Sequence, residues 1–154
     1  MNAVFEAKAP KVMTWFMHDF GLLSYQAAGI VGNFGRESEG FAMLREIGAA
    51  PGEGGYGWGQ WTGPRSHLFL NWCHLHALDW HSDEGNYGYA KHELETVYAY
   101  VIQHLKATRN LEAATVMFEK YYERAGVPAL ADRISWAREA ERLYLASLKG
   151  NHNA

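Results

Sequence analysis

Three observations predict a mostly α-helical domain that is α+β only through one small β-hairpin placed after its second helix. Apolar residues recur at helical spacing along most of the chain. Residues 41–65 lose that periodicity and are broken by glycines at 48, 52, 54, 55, 57, 59 and 63. The 154 residues are 48% apolar and 20% charged, a balance suited to one globular domain, 1–154, with a core that needs neither metal nor disulfide.

The elements follow in order. Lys11 to Phe20 carries Val12, Phe16 and Phe20 at four-residue spacing, follows Pro10 and stops at Gly21, which predicts the first helix. Ser24 is a good N-cap for the second, in which Ala27, Ile30, Val31 and Phe34 form one apolar stripe. Ala28, Gly32 and Gly35 form a second stripe of small residues, poor in helix propensity but suited to an element packing very close. Beyond Phe41 an irregular loop is expected, with the hairpin at Gly54 to Trp61.

The remainder reads as helical. Ser66 to about Leu78 has Phe69, Trp72 and His76 along one side, and Asp79 to Asn86 is a polar connection. Tyr87 to Ala107 places Ala90, Leu94, Val97, Val101 and Leu105 on one face, the longest clean pattern in the chain. Asn110 can cap a helix carrying Leu111, Ala114, Phe118, Tyr122 and Ala125, which Gly126 ends. The last helix spans roughly Leu130 to Leu148 with Ile134, Ala137, Tyr144 and Leu148 inward, and Gly150 and the tail after it should fray.

Composition excludes several functions. A formal charge of −3 and a pI near 6.2 leave no nucleic-acid footprint, and no Lys/Arg cluster reads as a membrane-surface helix. Cys73 is the single cysteine, so no internal disulfide forms, and beside Trp72 it reads as a small buried hydrophobe. The N-terminal stretch has no signal-peptide h-region and no run approaches a membrane span, so synthesis in the cytoplasm is expected. The 8 histidines lack metal-site spacing: His92-Glu93 has no second histidine four residues on, and His74, His76 and His81 come with no cysteine pair. No metal and no other cofactor is implied, and neither a GxSxG elbow nor a phosphate-binding glycine loop is present.

The chemistry concentrates on Glu37. Extending the apolar stripe of the second helix by one turn lands on this carboxylate, in the last turn before the expected terminator Gly40. Partial burial and the negative end of the helix dipole both favour the neutral carboxyl that a general acid requires. Periodicity alone leaves Glu37 open between that role and an ion pair with Arg36 or Arg45. Glu39, about 200 degrees further round the helix at roughly 100 degrees per residue, belongs to solvent.

The run GNFGRESEGF, followed by GGYGWGQWTGPR, resembles the phage tail lysozyme family of cell-wall hydrolases. The family's elements fall on Gly32, Asn33, Glu37, Ser38, Tyr56, Gly57, Gln60, Trp61, Thr62, Gly63 and Arg65. More distantly, a Glu-Ser pair followed by Gly-x-x-Gln is similar to goose-type lysozymes and lytic transglycosylases, whose catalytic acid is the Glu of that pair. The segments Ser82–Leu94, Phe118–Pro128 and Arg133–Ala140 also resemble the family's downstream helices, so the likeness covers essentially the whole chain.

The resemblance implies a lysozyme-like domain that cleaves the β-1,4 bond between N-acetylmuramic acid and N-acetylglucosamine in peptidoglycan, with Glu37 as general acid. Glu46, in the Leu-Arg-Glu-Ile element, is favoured as the second carboxylate over Glu53. Carboxyls about 6.5–9.5 Å apart would predict inversion and about 5–5.5 Å retention; without a working second carboxylate, the route of a lytic transglycosylase, releasing a 1,6-anhydro sugar, is favoured. Tyr56, Trp58, Gln60, Trp61 and Thr62 are the expected glycan-binding residues, through ring stacking and the Gln60 amide, although one or two of the aromatic residues could instead plug the core. Arg65 is expected to anchor the hairpin to a helix, and Glu93 to line the far wall or to pair with Arg133. The partners implied are peptidoglycan glycan strands, met by a monomer delivered by a holin or carried in a phage tail. A chitinase-like enzyme and a non-catalytic wall-binding tail module are the competing readings.

Overall fold

The computed structural model describes residues 2–152. Helix α1 (Ala3–Phe20) begins well before the expected Lys11. Asn2 caps it, accepting the Phe5 amide at 2.8 Å, and Pro10 lies inside it. The proline removes one hydrogen bond from the ladder, yet the apolar face continues through it, and burial of Phe5 and Ala9 ahead of Val12, Met13 and Phe16 offsets the loss. Gly21 closes the helix in the left-handed region at φ 64°, as the sequence predicts.

Helix α2 (Ser24–Glu37) is the central rod, buried at every residue from Gln26 to Gly35. Its N-cap is Leu23 and not Ser24: the Gln26 side chain accepts the Leu23 amide at 2.9 Å, freeing Ser24 to bond Glu141. Helix α3 (Pro64–Leu75) starts on its proline. Ser82 caps α4 (Asp83–Glu95), whose first turn is acidic, as the helix dipole favours. Cys73 is buried on α3, and burial, with Asp79 nearby, pushes its thiol up to about 11.

The long helix predicted for Tyr87 to Ala107 is two helices. The chain breaks at Thr96 and resumes as α5 (Ala99–Ala107), leaving Val97 73% exposed instead of inward. The break turns Tyr98 inward against Tyr122, with ring centres 5.1 Å apart, while Val101 and Leu105 remain in the core. Asn110 caps α6 (Leu111–Phe118) as expected. Residues Glu119–Glu123 then widen into a π-helical turn that stops at Arg124, φ 53°, before Gly126 is reached.

Helix α7 (Leu130–His152) runs through Gly150; Asn153 and Ala154 lie outside the described residues. Of its expected inward positions Ala137 is buried, Ile134 and Tyr144 are half-buried and Leu148 is exposed. The stripe that does face inward is Arg133, Ala137 and Ala140.

The β-hairpin at Gly54 to Trp61 is a correction, and with it the α+β class reduces to a helical fold. Only isolated antiparallel bridges occur among the described residues, Tyr56 with Trp61 and Arg45 with Tyr56. Tyr56 and Trp61 exchange both amide hydrogen bonds, at 3.1 and 2.9 Å, but the pairing stops after one pair. Trp58 and Trp61 both turn into the core, which a strand with alternating faces could not do from positions three apart. No helix among the described residues is long and apolar enough to cross a membrane.

The small-residue stripe of α2 performs as predicted. A Cβ on Gly32 would lie 2.5 Å from the Ala137 Cβ, and one on Gly35 3.0 Å from the Trp136 indole, so α7 rests directly on the α2 backbone. On another side, Gly29 admits the Ala114 backbone of α6 at 2.8 Å. Gly32→Ala should therefore lower stability by about 2 kcal/mol or more, measured by urea unfolding, whereas Gly126→Ala, with open space at its Cβ, should stay near wild type. Asp83 ties α4 to Lys8 and Lys11 of α1 at 2.8 and 2.9 Å. Burial opposes its ionisation, but the two ammonium groups win and hold the carboxyl below its ordinary range. The stability it contributes should be fully present above about pH 4 and lost as pH falls through the lowered folded value, a dependence that Asp83→Asn should flatten in acid unfolding.

Candidate active site

Glu37 is the last residue of α2, and the chain is turned off the helix immediately after it. Ser38 donates its hydroxyl to the Phe34 carbonyl at 2.6 Å and accepts the Phe41 amide at 2.9 Å. Glu39, Gly40 and Phe41 then take left-handed φ of 48°, 64° and 66° in succession. That conformation costs energy at the two non-glycine positions. Burial of the Phe41 ring against Phe5 and Trp58 offsets it. Because the helix has ended, Glu39 does not lie round the far side as a continuing helix would place it. It joins Glu37 at one cleft.

The cleft has a volume of about 440 Å³, and the sequence-predicted Glu37, Glu46, Gln60 and Thr62 all line it, together with Arg45 and Met43. Glu37 comes from the helix end, Glu46 from the loop after it, and Gln60 and Thr62 from the glycine-rich segment. The Gln60 amide donates to the Gly57 carbonyl at 2.8 Å, which fixes its side chain at the wall, and its backbone is left-handed at φ 47°. Glu46 is exposed and leans over Gly54, where a Cβ would meet its Oε2 at 2.2 Å. Glu53 is exposed and does not line the cleft.

The aromatic residues behave differently from the expected stacking platforms. Trp58 and Trp61 are 0% and 2% exposed, packed among Phe34, Phe41, Phe69 and Tyr89. They offer no ring face to a sugar, and their indole N–H groups find no partner among the described residues. Tyr56 is half-buried, with the Arg45 guanidinium 4.0 Å over its ring and Trp80 edge-on at 5.3 Å, and it does not line the cleft. Arg45 is thus engaged with Tyr56 and the Ala50 carbonyl, and Arg36 with Asp132 at 3.5 Å, so neither pairs with Glu37.

The partner of Glu37 is Arg133 of α7. Its side chain is 1% exposed and each of its three nitrogens donates once: Nη2 to Glu37 Oε1 at 2.6 Å, Nη1 to Asn33 Oδ1 at 3.1 Å, and Nε to the Pro128 carbonyl at 2.6 Å. Asn33 can accept because its amide donors go to the Gly29 and Thr115 carbonyls, at 2.7 and 3.0 Å. Glu37 remains 21% exposed, anchored at one oxygen and open to the cleft.

A second ion pair joins α3 to α4. Arg65 grips Glu93 in both directions, Nη2 to Oε1 at 2.8 Å and Nε to Oε2 at 3.1 Å, and donates to the Tyr122 carbonyl at 3.3 Å. Tyr122 and Tyr89 donate their hydroxyls to Glu93 at 2.6 and 3.0 Å. Arg65 therefore anchors its segment, as expected, and Glu93 pairs with Arg65 and not with Arg133. Burial works against the Arg65 charge, but the Glu93 hydrogen bonds raise its pKa above the ordinary value.

Glu123, on the π turn, is half-buried, and its Oε1 is enclosed without a hydrogen-bond partner among the described residues. Burial, reinforced by the negative charge of Glu37, pushes its carboxyl well above the ordinary carboxylate range. Neither Arg133 nor Glu123 is singled out as functional by sequence reasoning. For Arg133 the signal existed: it stands four and seven residues before Ala137 and Ala140, a charge on a small-residue stripe of the kind that exposes Glu37. For Glu123 it did not, because the π turn sets its direction.

A family model described as phage tail lysozyme matches residues 7–144, nearly the whole chain. The chain belongs to the phage tail lysozyme family. Comparison with curated proteins yields no match. The family gives this chain a lysozyme-like role on peptidoglycan, and the match runs from α1 well into α7, taking in both Glu37 and Arg133.

Because Glu93 is the sole carboxylate paired with the half-buried Arg65 among the described residues, Glu93→Gln should destabilise the protein by about 2–3 kcal/mol, seen as a lower urea midpoint with an unchanged slope.

Proposed function

We propose that this protein is a muramidase that cleaves the β-1,4 bond between N-acetylmuramic acid and N-acetylglucosamine, with Glu37 as the general acid. The observation that carries the reading is the emergence of the Glu37 carboxyl, from the end of a helix buried from Gln26 to Gly35, into the cleft lined by Glu46, Gln60 and Thr62. A rigid helix end and the Arg133 fork hold the carboxyl in place, which proton delivery to a leaving oxygen demands. Glu46, exposed on the same cleft, is placed to steady a water or the developing oxocarbenium charge. Gln60 and Thr62 supply hydrogen bonds to the glycan, and no cofactor takes part. The enzyme would act on the wall either as a lysis enzyme released with a holin or as a tail component during infection.

The exposure of Glu46 favours a second reading, a lytic transglycosylase in which the substrate's own hydroxyl attacks and no second carboxylate is required. Mass spectrometry of digested peptidoglycan separates the two. Hydrolysis gives reducing-end muramic acid, and transglycosylation gives the 1,6-anhydro product, lighter by a water. Glu37→Gln should reduce wall lysis by roughly 10²–10⁴-fold without unfolding the protein, whereas full lysis by that variant would remove Glu37 from the mechanism. Loss of most hydrolysis in Glu46→Ala supports the hydrolase, and its retention supports the second reading.

A further inference from the structure

Six non-glycine residues among those described take left-handed φ, and two of them, Glu39 at 48° and Gln60 at 47°, line the cleft that holds Glu37. Such a conformation costs energy that the side chain must offset elsewhere. Phe41, at 66°, buries its ring against Phe5 and Trp58, and the Gln60 amide donates to the Gly57 carbonyl. Glu39 gains nothing of the kind from the fold. Its side chain is exposed, and among the described residues its carboxylate makes no hydrogen bond and no ion pair.

The backbone at Glu39 is nevertheless tied down on both sides. Asn2 donates its side-chain amide to the Glu39 carbonyl at 2.7 Å, the Gly40 amide donates to the Gly35 carbonyl at 2.8 Å, and the Met43 amide donates to the Ser38 carbonyl at 2.8 Å. The turn is therefore fixed, and it delivers the Glu39 side chain to the cleft wall. On conformational grounds glycine suits position 39 better than glutamate does.

We propose that Glu39 is a glycan-holding residue: its carboxylate accepts hydrogen bonds from hydroxyl or acetamido N–H groups of the N-acetylhexosamine bound beside Glu37. The inference rests on the reading of this cleft as the glycan site. An ionised carboxylate only accepts, and a sugar of this class carries the donors that suit it. Glu37 commits Oε1 to Arg133, whereas both carboxylate oxygens of Glu39 are unengaged among the described residues. Bonds of this kind hold substrate and transition state alike, so they act on KM and leave kcat in place.

The test compares wild type, Glu39→Gly and Glu39→Gln in turnover of purified peptidoglycan, with urea unfolding of each. Glu39→Gly removes the acceptor and the left-handed cost together. Its KM should rise about tenfold with kcat within about twofold, while its urea midpoint rises. Glu39→Gln keeps one acceptor oxygen and should fall between Glu39→Gly and wild type in KM. An unchanged KM in Glu39→Gly overturns the proposal. So does a lower urea midpoint, which would mean that the fold itself uses the side chain. Co-sedimentation with purified peptidoglycan in a Glu37→Gln background needs no cleavage: adding Glu39→Gly should weaken binding about tenfold, and equal binding overturns the proposal. An active Glu37→Gln fails the general-acid reading alone, whereas an inactive one whose binding is untouched by Glu39→Gly fails the Glu39 assignment alone.

Discussion

A guanidinium that is almost wholly enclosed must be given acceptors in the right directions, since an unpaired charge in that position would cost several kcal/mol. Arg133 receives three: a carbonyl from its own helix approach, the Asn33 amide oxygen and the Glu37 carboxylate. Two of these lie on α2, one turn apart, so α7 must lie against α2 in a single register. That approach exists only because Gly32 and Gly35 remove the side chains that would hold the helices apart. Close packing, the buried fork and the placement of Glu37 are therefore one arrangement seen at three scales.

The far wall of the cleft is built by a different force. Its glycine-rich segment is drawn inward by Trp58 and Trp61, which fill the core beside Phe34 of α2, and Asn86 of α4 pins it by accepting the Trp58 amide at 2.8 Å. Aromatic burial thus aims Gln60 and Thr62 at the cleft while hiding the rings themselves. The cleft is consequently lined by carboxylates, an arginine, a glutamine and a threonine together with Met43 and Ile47, and not by tryptophan rings.

Much of this could be read from residues in advance, where local periodicity decides the outcome. The stripe ending at Glu37 and the small-residue stripe of α2 were both legible, because a helix repeats its faces. Glu46, Gln60 and Thr62 came through the motif that surrounds them. The hairpin was misread because glycines and aromatics at short spacing signal a turn equally well when the rings point inward. The 87–107 helix was misread because a face continuous in sequence can still break where Tyr98 gains more by packing on Tyr122. Partners across the fold, such as Arg133 for Glu37 and Arg65 for Glu93, are long-range pairings that one helix's pattern does not contain.

The central claim is that the planar fork of Arg133, and not its charge alone, holds the Glu37 carboxyl where the proposed general acid must stand. Arg133→Lys keeps the charge but replaces the fork with a single ammonium that cannot reach Asn33, Glu37 and Pro128 together. The decisive measurement is the turnover of purified peptidoglycan by this variant, with circular dichroism to show that it is folded. A folded protein slowed by roughly a hundredfold is the predicted result, the scale of loss when a reacting group is misplaced by about 1 Å. A folded Arg133→Lys enzyme turning over at the wild-type rate would contradict the account.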